Sequence, residues 1–136
     1  MKAILFAAML AASGASGATA DVQVIANGNL SVTELSADQV KDIFLGTRTA
    51  IGGVAVEPVF EESGAAHEMF LKTYIGKSDS ALRNYFKTLV FTGKGTQPKA
   101  FASDAEVLKY VASTKGAIGY VSASADTTGA KKVQIK

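Results

Sequence analysis

The sequence contains no cysteine and no tryptophan, and it has one histidine and two prolines among 136 residues. Without cysteine, the chain forms no disulfide, offers no thiolate to a metal and has no cysteine nucleophile. With His67 as its single histidine, it lacks the clusters of histidines and carboxylates that metal sites use. No pairing of a nucleophile with a base is recognisable either. We therefore expect a protein that is not an enzyme, with no metal site and no cofactor.

An excess of charge of one sign is also missing. The chain has 14 lysines and arginines against 12 aspartates and glutamates, a formal net charge of +2. These charges are scattered along the sequence, whereas a nucleic-acid-binding face needs clustered lysines and arginines. The composition therefore predicts no nucleic-acid partner.

The first twenty residues are typical of a secretory signal peptide. Lys2 precedes an apolar run over residues 3–12, and small residues then lead to Ala18-Thr19-Ala20, a cleavage site of the A-x-A type. The apolar run is about half as long as a membrane-spanning helix requires, so we favour a signal peptide over an anchor. We predict cleavage after Ala20 and a periplasmic or secreted protein. The remaining 136 − 20 = 116 residues, 21–136, suffice for one domain with one core.

Hydrophobic periodicity and turn residues predict the element order β-α-β-α-α-α-β-β. The strands are expected over residues 22–26, 54–60, 117–122 and 132–136. Serines that can cap helices stand at Ser36, Ser78 and Ser103, and Ser36 and Ser103 each have Gln or Glu three residues later. A small mixed β-sheet flanked by helices, an α/β fold, follows from this order.

Two helices carry specific predictions about burial. The helix over residues 65–75 is predicted to bury Ala66, Phe70, Thr73 and Tyr74. The helix after Ser78 has the strongest periodicity in the chain, with an apolar stripe formed by Leu82, Tyr85, Phe86, Leu89 and Val90.

The loop Ser63-Gly64-Ala65 is the most informative candidate site. It joins a predicted strand to the first turn of a helix, where backbone amides lack partners and the helix dipole is positive. Ser63 can donate its hydroxyl and Gly64 lets the backbone approach a ligand closely, so a small oxyanion fits there. The alternative, which this feature alone favours, is that Ser63 caps its own helix.

Three other features have structural interpretations. His67 lies in a first helical turn beside Glu68, which predicts a solvated surface histidine. The adjacent carboxylates Glu61 and Glu62 precede a helix, where acidic residues are favoured by the dipole, so a structural role is expected. The run Gly93-Lys94-Gly95-Thr96 is not a phosphate-binding P-loop, because the earlier glycine and the Ser or Thr after the lysine are both absent.

Four stretches taken together resemble one family. Residues 35–46, LSADQVKDIFLG, are similar to a segment of the periplasmic phosphate-binding proteins of ABC transporters. Residues 61–65, EESGA, stand where that family has its Ser-Gly-Thr anion loop. Residues 93–95, GKG, match its glycine-rich loop, and residues 116–121, GAIGYV, match one of its strands. The resemblance implies the fold of one lobe of a type II periplasmic binding protein over residues 21–136.

The resemblance also implies which residues bind a ligand. These are Ser63, Gly64, Ala65, Glu61, Gly93, Lys94 and Gly95. Lys94 would supply positive charge and Glu61 a hydrogen-bond acceptor. The chain departs from the family pattern at three of the matched positions: Val59 replaces an arginine that pairs with the anion, Glu61 replaces an aspartate, and Ala65 replaces a threonine. Members of the family are also longer and two-lobed.

Two hypotheses about function follow. The first is an exported solute-binding module for phosphate or another small oxyanion, associated with ABC-type phosphate transport. The second is an envelope interaction module that kept the fold of one lobe and lost the ligand. In the second case the partner is an envelope or transporter protein, or a second copy in a homodimer, and an exposed apolar patch would be the clue.

Overall fold

The structure, a computed structural model, describes residues 22–136. The predicted signal peptide over residues 1–20, with its cleavage site, lies outside the described residues. Within residues 22–136, no helix has both the length and the apolar character needed to cross a bilayer.

The described part of the chain folds into nine short strands and four α-helices. Chain order gives β1 (Val22–Ala26), β2 (Glu34–Leu35), α1 (Ala37–Leu45), β3 (Ala50–Ile51), β4 (Val54–Ala55), β5 (Glu57–Pro58), β6 (Phe60–Glu61), α2 (Ala65–Phe70) with a π-helical continuation (Leu71–Ile75), α3 (Asp79–Phe91), β7 (Ala100–Phe101), α4 (Asp104–Ser113), β8 (Ala117–Ser122) and β9 (Lys131–Ile135).

The main sheet has five strands in the order β2-β9-β1-β8-β5. The central strand β1 runs antiparallel to both β8 and β9, while β2 and β5 pair in parallel with β9 and β8 at the two edges. The remaining strands form two separate two-stranded sheets, the antiparallel hairpin β3–β4 and the parallel pair β6–β7. The predicted class, an α/β fold with a small mixed sheet flanked by helices, is confirmed.

Both faces of the main sheet are covered, which explains why β8 is almost entirely apolar. Ile118 and Tyr120 point into a large core that also contains residues of α1 and α3. Val121 faces a smaller core built with Val107 and Val111 of α4. Side chains on a strand alternate between faces, so one strand serves both cores.

Gly119 lies on the face of β8 that packs against α4. A Cβ atom at this position would lie 2.9 Å from Val107 Cγ1 and 3.0 Å from Val59 Cγ2, closer than carbon atoms pack. The hydrogen atom of glycine therefore sets the spacing between the sheet and the helix.

Helix α1 has the termini that the sequence predicts. The Ser36 hydroxyl accepts a hydrogen bond from the Gln39 amide at 3.2 Å, and the Gln39 side chain accepts one from the Ser36 amide at 2.8 Å. Gly46 ends the helix with φ = 84°, in the left-handed region that glycine enters without strain. The capping box and the glycine stop are both confirmed.

Two predictions about local structure are wrong. The strand expected over residues 54–60 is divided into β4, β5 and β6, which belong to three different sheets. In the helix over residues 65–75, Thr73 is exposed, and Leu71 and Ile75 are buried instead. The π-helical turn causes this second difference, because wider turns displace the apolar stripe from the positions that a regular α-helix gives it.

The stripe predicted on α3 is covered only at its beginning. Leu82 and Phe86 are buried, and Tyr85 and Leu89 are half-buried. Val90 is 49% exposed and the adjacent Phe91 is 91% exposed. The C-terminal end of α3 thus presents apolar surface that the described part of the chain does not cover.

Candidate functional site

The parallel pairing of β6 with β7 sets the position of the Ser63 loop. Phe60 pairs with Ala100 and Glu61 with Phe101, so the two strands end side by side. The chain after β6 leads into α2, and the chain after β7 leads into α4, with Ser103 as its N-terminal cap. Two helix N-termini, each a region of positive potential, therefore lie at one edge of the molecule.

Gly64, rather than Ser63, occupies the N-cap position of α2. Its φ of 102° and ψ of 176° are accessible without strain only to glycine, and no side chain caps the helix. The prediction that Ser63 caps its own helix is therefore wrong. Ser63, Gly64 and Ala65 are all exposed, which leaves the Ser63 hydroxyl free for another partner.

This loop presents a row of unused donors. Among the described residues, no group accepts a hydrogen bond from the backbone amides of Ser63, Gly64, Ala65 or Ala66. The chain is fixed on either side, because the Glu62 amide donates to Phe101 O at 2.8 Å and α2 begins directly after Gly64. Free amides at a helix N-terminus are a known mode of binding anions.

Glu61 lies behind the loop and is buried, with 5% of its surface exposed. Burial, reinforced by a hydrogen bond to Asp104 and by the charge of Asp104, raises the pKa of Glu61 to about 8. Its Oε2 atom is buried and receives no hydrogen bond from a donor among the described residues, as expected of a carboxyl that keeps its proton. At neutral pH Glu61 is thus mostly uncharged. The structural role predicted for Glu61 and Glu62 does not account for this buried carboxyl.

Asp104 is the ionised member of the pair. Burial raises its pKa, but hydrogen bonds from Glu61 and Ser122 outweigh burial, so that the pKa lies below its usual value. The Ser122 amide donates to Asp104 Oδ1 at 3.1 Å. The edge that carries the Ser63 loop therefore holds one negative charge from this pair at pH 7 and a second one above pH 8. No sequence signal indicated this pairing beyond the predicted capping box at residues 103–106.

Val59 stands where the resemblance implies an arginine, and its surroundings leave no access to the loop. Val59 is fully buried and belongs to the core between the sheet and α4. A side chain at this position packs against the valines of α4 and does not reach solvent at the loop. Position 59 in this chain therefore contributes packing and no charge.

The loop Gly93-Lys94-Gly95 lies away from Ser63. It follows α3, where Gly93 adopts φ = 71° and the Lys94 amide donates to Leu89 O at 2.9 Å. Lys94 and Gly95 border a cavity of about 620 Å³ whose lining includes none of Ser63, Gly64 and Ala65. The structure thus places Lys94 and Gly95 at a cavity that Ser63, Gly64 and Ala65 do not line.

His67 is 4% exposed, so the prediction of a solvated surface histidine is wrong. Its Nδ1 lies 2.6 Å from Tyr120 Oη and its Nε2 lies 2.8 Å from Asp79 Oδ1. The Tyr120 oxygen also accepts the Glu61 amide at 3.0 Å, so its own proton is available for Nδ1. With the Tyr120 proton donated to Nδ1 and a proton on Nε2 donated to Asp79, each of these three side chains has a hydrogen-bond partner.

Asp79 and Arg83 extend this network to the surface. Arg83 Nε lies 2.7 Å from Asp79 Oδ2, and this bond, followed by the one from His67, lowers the pKa of Asp79. A cavity of about 320 Å³ opens beside His67, Asp79 and Arg83. Tyr120 is fully buried, and burial raises the pKa of its hydroxyl, which therefore stays protonated. A buried, protonated hydroxyl does not act as a nucleophile in this cavity. The network joins β8, α2 and α3.

Solved structures of several proteins share this arrangement of elements. The chain superposes on a protein from Clostridium perfringens described as a phosphate ABC transporter substrate-binding protein with bound phosphate, with a TM-score of 0.61 and 20% identity over 85% of this chain and 45% of that one. For an ABC-type phosphate transport receptor from Vibrio cholerae the TM-score is 0.58 and the identity 14%, over 85% and 46% of the two chains. The fold is that of one half of such a protein.

A third structure, PstS from Borrelia burgdorferi, gives a TM-score of 0.65 at 11% identity, over 85% of this chain and 47% of that one. The chain thus spans about half the length of the three proteins it superposes on. No family model matches the sequence, and no curated protein matches it. The fold implied by the resemblance is confirmed: the described residues have the fold of one half of these proteins.

Proposed function

We propose that this protein is an exported, non-enzymatic module that binds phosphate or a similar small oxyanion and is associated with ABC-type phosphate transport. The observation that carries the proposal is the row of four unused amides at residues 63–66, next to the Ser63 hydroxyl, at a helix N-terminus where residues 63–65 are exposed. The fold supports it, because the superposed Clostridium protein holds bound phosphate. Amides and a hydroxyl together recognise an oxyanion without a charged side chain.

The proposed site consists of Ser63, Gly64 and Ala65, with Glu61 behind it. The proposed site does not include the glycine loop over residues 93–95, because Lys94 and Gly95 border a cavity that residues 63–65 do not line. Without an arginine at position 59, the site lacks a charge-assisted contact, which contributes about 1.5–3 kcal/mol. We therefore expect binding weaker by about one to two orders of magnitude than at a site with that arginine.

Calorimetric titration of the purified protein with phosphate tests the proposal directly. Ser63→Ala is expected to weaken binding by about fivefold to tenfold, the contribution of one hydrogen bond. Ser80→Ala, which removes an exposed hydroxyl on α3, is the matched control and should bind as the wild type does. Equal affinities of Ser63→Ala and Ser80→Ala, or no heat and no thermal stabilisation at millimolar phosphate, would contradict the proposal.

The buried carboxyl of Glu61 predicts that anion binding depends on pH, which a second titration can measure. Above pH 8 Glu61 ionises two residues before Ser63, and the added negative charge is expected to weaken anion binding. Sulfate serves as the probe, because it does not change its charge over this range, and Glu61→Gln should remove the pH dependence of binding.

The location of the protein is tested separately. Mass spectrometry of protein recovered from a periplasmic extract should give a chain beginning at Asp21.

Phe91 and Val90 favour a second candidate function, an envelope interaction module. Isolated exposed apolar side chains are common, but two adjacent ones at a helix end form a patch suited to a protein partner or a second copy. In this case Phe91→Ser abolishes self-association or capture of a transporter component, and neither the wild type nor the variant binds phosphate. Light scattering at high protein concentration distinguishes the homodimer from a monomer.

A further inference from the structure

The cavity bordered by Lys94 forms a groove between α3 and the chain that follows α1. We call it the basic groove and define it by Leu45, Arg48, Val56, Leu89, Lys94 and Lys99. Its volume of about 620 Å³ lies within the range of sites for small organic molecules. A hydrogen bond from Tyr85 Oη to Leu45 O, 2.8 Å long, joins its two walls.

The charges of the basic groove do not balance. Glu57, the acidic residue of its lining, already receives the Tyr110 hydroxyl at 2.5 Å and the Lys99 ammonium at 3.7 Å. Arg48 and Lys94 form no ion pair with any of residues 22–136. The groove therefore carries two positive charges that no described group neutralises, and its complement is an anion.

The walls of the basic groove are apolar between these charges. Leu89 and Val56 are half-buried and pack against the large core from its rim. Leu89 continues the stripe of Leu82 and Phe86 on α3 beyond the point where the core covers it. An occupant that covers Leu89 and Val56 would remove apolar surface from water, which contributes about 25 cal/mol per Å².

We propose that the basic groove binds a small organic anion with an apolar body, of which a medium-chain carboxylate is the simplest example. Arg48 and Lys94 supply the charge that attracts the carboxylate, and Leu89 and Val56 contact the chain. Inorganic phosphate does not meet this description, because it has no apolar part. The basic groove is thus a second site with a different ligand from the Ser63 loop, and each can exist without the other.

Amide chemical shifts of the purified protein, followed by NMR during titration with octanoate, test this inference. Octanoate is expected to give saturable shifts at residues 45–49 and 94–99. Acetate, which has the charge without the chain, and octylammonium, which has the chain with the opposite charge, should produce little change there. Equal responses to octanoate and octylammonium, equal responses to octanoate and acetate, or shifts confined to other residues would overturn it.

Variants identify the charges. Arg48→Ala combined with Lys94→Ala is expected to weaken octanoate binding by about tenfold or more, the effect of losing contacts to charged groups. Lys109→Ala combined with Lys132→Ala removes two exposed positive charges outside the groove and serves as the control. A loss of affinity as large in the control pair would refute the role of Arg48 and Lys94. Phosphate shifting residues 45–49 and 94–99 in place of octanoate would also overturn the inference, because the groove would then be an inorganic-anion site.

Discussion

Replacing Glu61 by glutamine should change how the stability of the protein depends on pH. The unfolded chain titrates this carboxyl near 4.5, whereas in the folded protein its pKa is raised to about 8 by burial and by Asp104. The folded state therefore holds the proton more tightly, and Glu61 favours folding fully below pH 4.5. That contribution decreases as the pH rises from 4.5 and is lost above 8. The difference of about 3.5 pKa units corresponds to an upper limit on the order of 5 kcal/mol.

Glutamine has nearly the same shape, carries no charge and can donate its amide to Asp104. We expect Glu61→Gln to unfold at pH 5 with a free energy within about 1 kcal/mol of the wild type. At pH 9 it should be more stable than the wild type by several kcal/mol, because the wild type then buries an ionised carboxylate beside Asp104.

Urea unfolding followed by circular dichroism at pH 5, 6, 7, 8 and 9 measures both slopes. Glu62→Gln removes an exposed carboxylate next in the chain and should follow the wild type within about 0.5 kcal/mol. Parallel curves for the wild type and Glu61→Gln over this range would refute the assignment of a buried, protonated carboxyl at position 61.

Three further substitutions test packing and the buried network by the same unfolding measurement. Gly119→Ala should destabilise the protein by about 1–3 kcal/mol, because its Cβ overlaps Val59, whereas Gly28→Ala, which meets nothing within 4 Å, should change stability by less than about 0.5 kcal/mol. His67→Phe should cost about 1–3 kcal/mol by leaving the buried Tyr120 hydroxyl without its acceptor, and a change below about 0.5 kcal/mol would refute the hydrogen bond. Val59→Arg should unfold the protein or destabilise it by more than about 3 kcal/mol, since position 59 is fully buried. A folded Val59→Arg variant with stronger phosphate binding would contradict the assignment of that position to the core.

The features that could be predicted from the sequence are those that depend on residues close together in the chain. Helix α1 begins at a capping box of two residues three positions apart and ends at a glycine, and the structure has both features. Strand β8 was recognisable as an apolar run, because burial on both faces removes the alternation that exposed strands show. Such local signals fixed the positions of the helices and the class of the fold.

What could not be predicted depends on residues far apart in the chain. His67 can be buried because both of its ring nitrogens have hydrogen-bond partners. Tyr120, 53 residues away in the chain, contacts Nδ1, and Asp79 contacts Nε2. The raised pKa of Glu61 is caused first by burial and then by Asp104, which approaches when β6 pairs with β7. The division of residues 54–60 into three strands is also decided by their separate partners, since isolated strands have little preference of their own.

The position of β1 in the centre of the main sheet has a consequence for the timing of folding. Its partners β8 and β9 are nearly the last residues of the sequence, and Gln23, for example, bonds to Ser122, 99 residues later. At about 5–20 residues per second, a ribosome needs about 5–20 s to make the partner of a β1 that it has already completed. Throughout that interval the apolar residues of β1 have no sheet to join, and pairings of such long range form slowly even in the finished chain. The main sheet therefore closes around β1 only after β8 and β9 have been made.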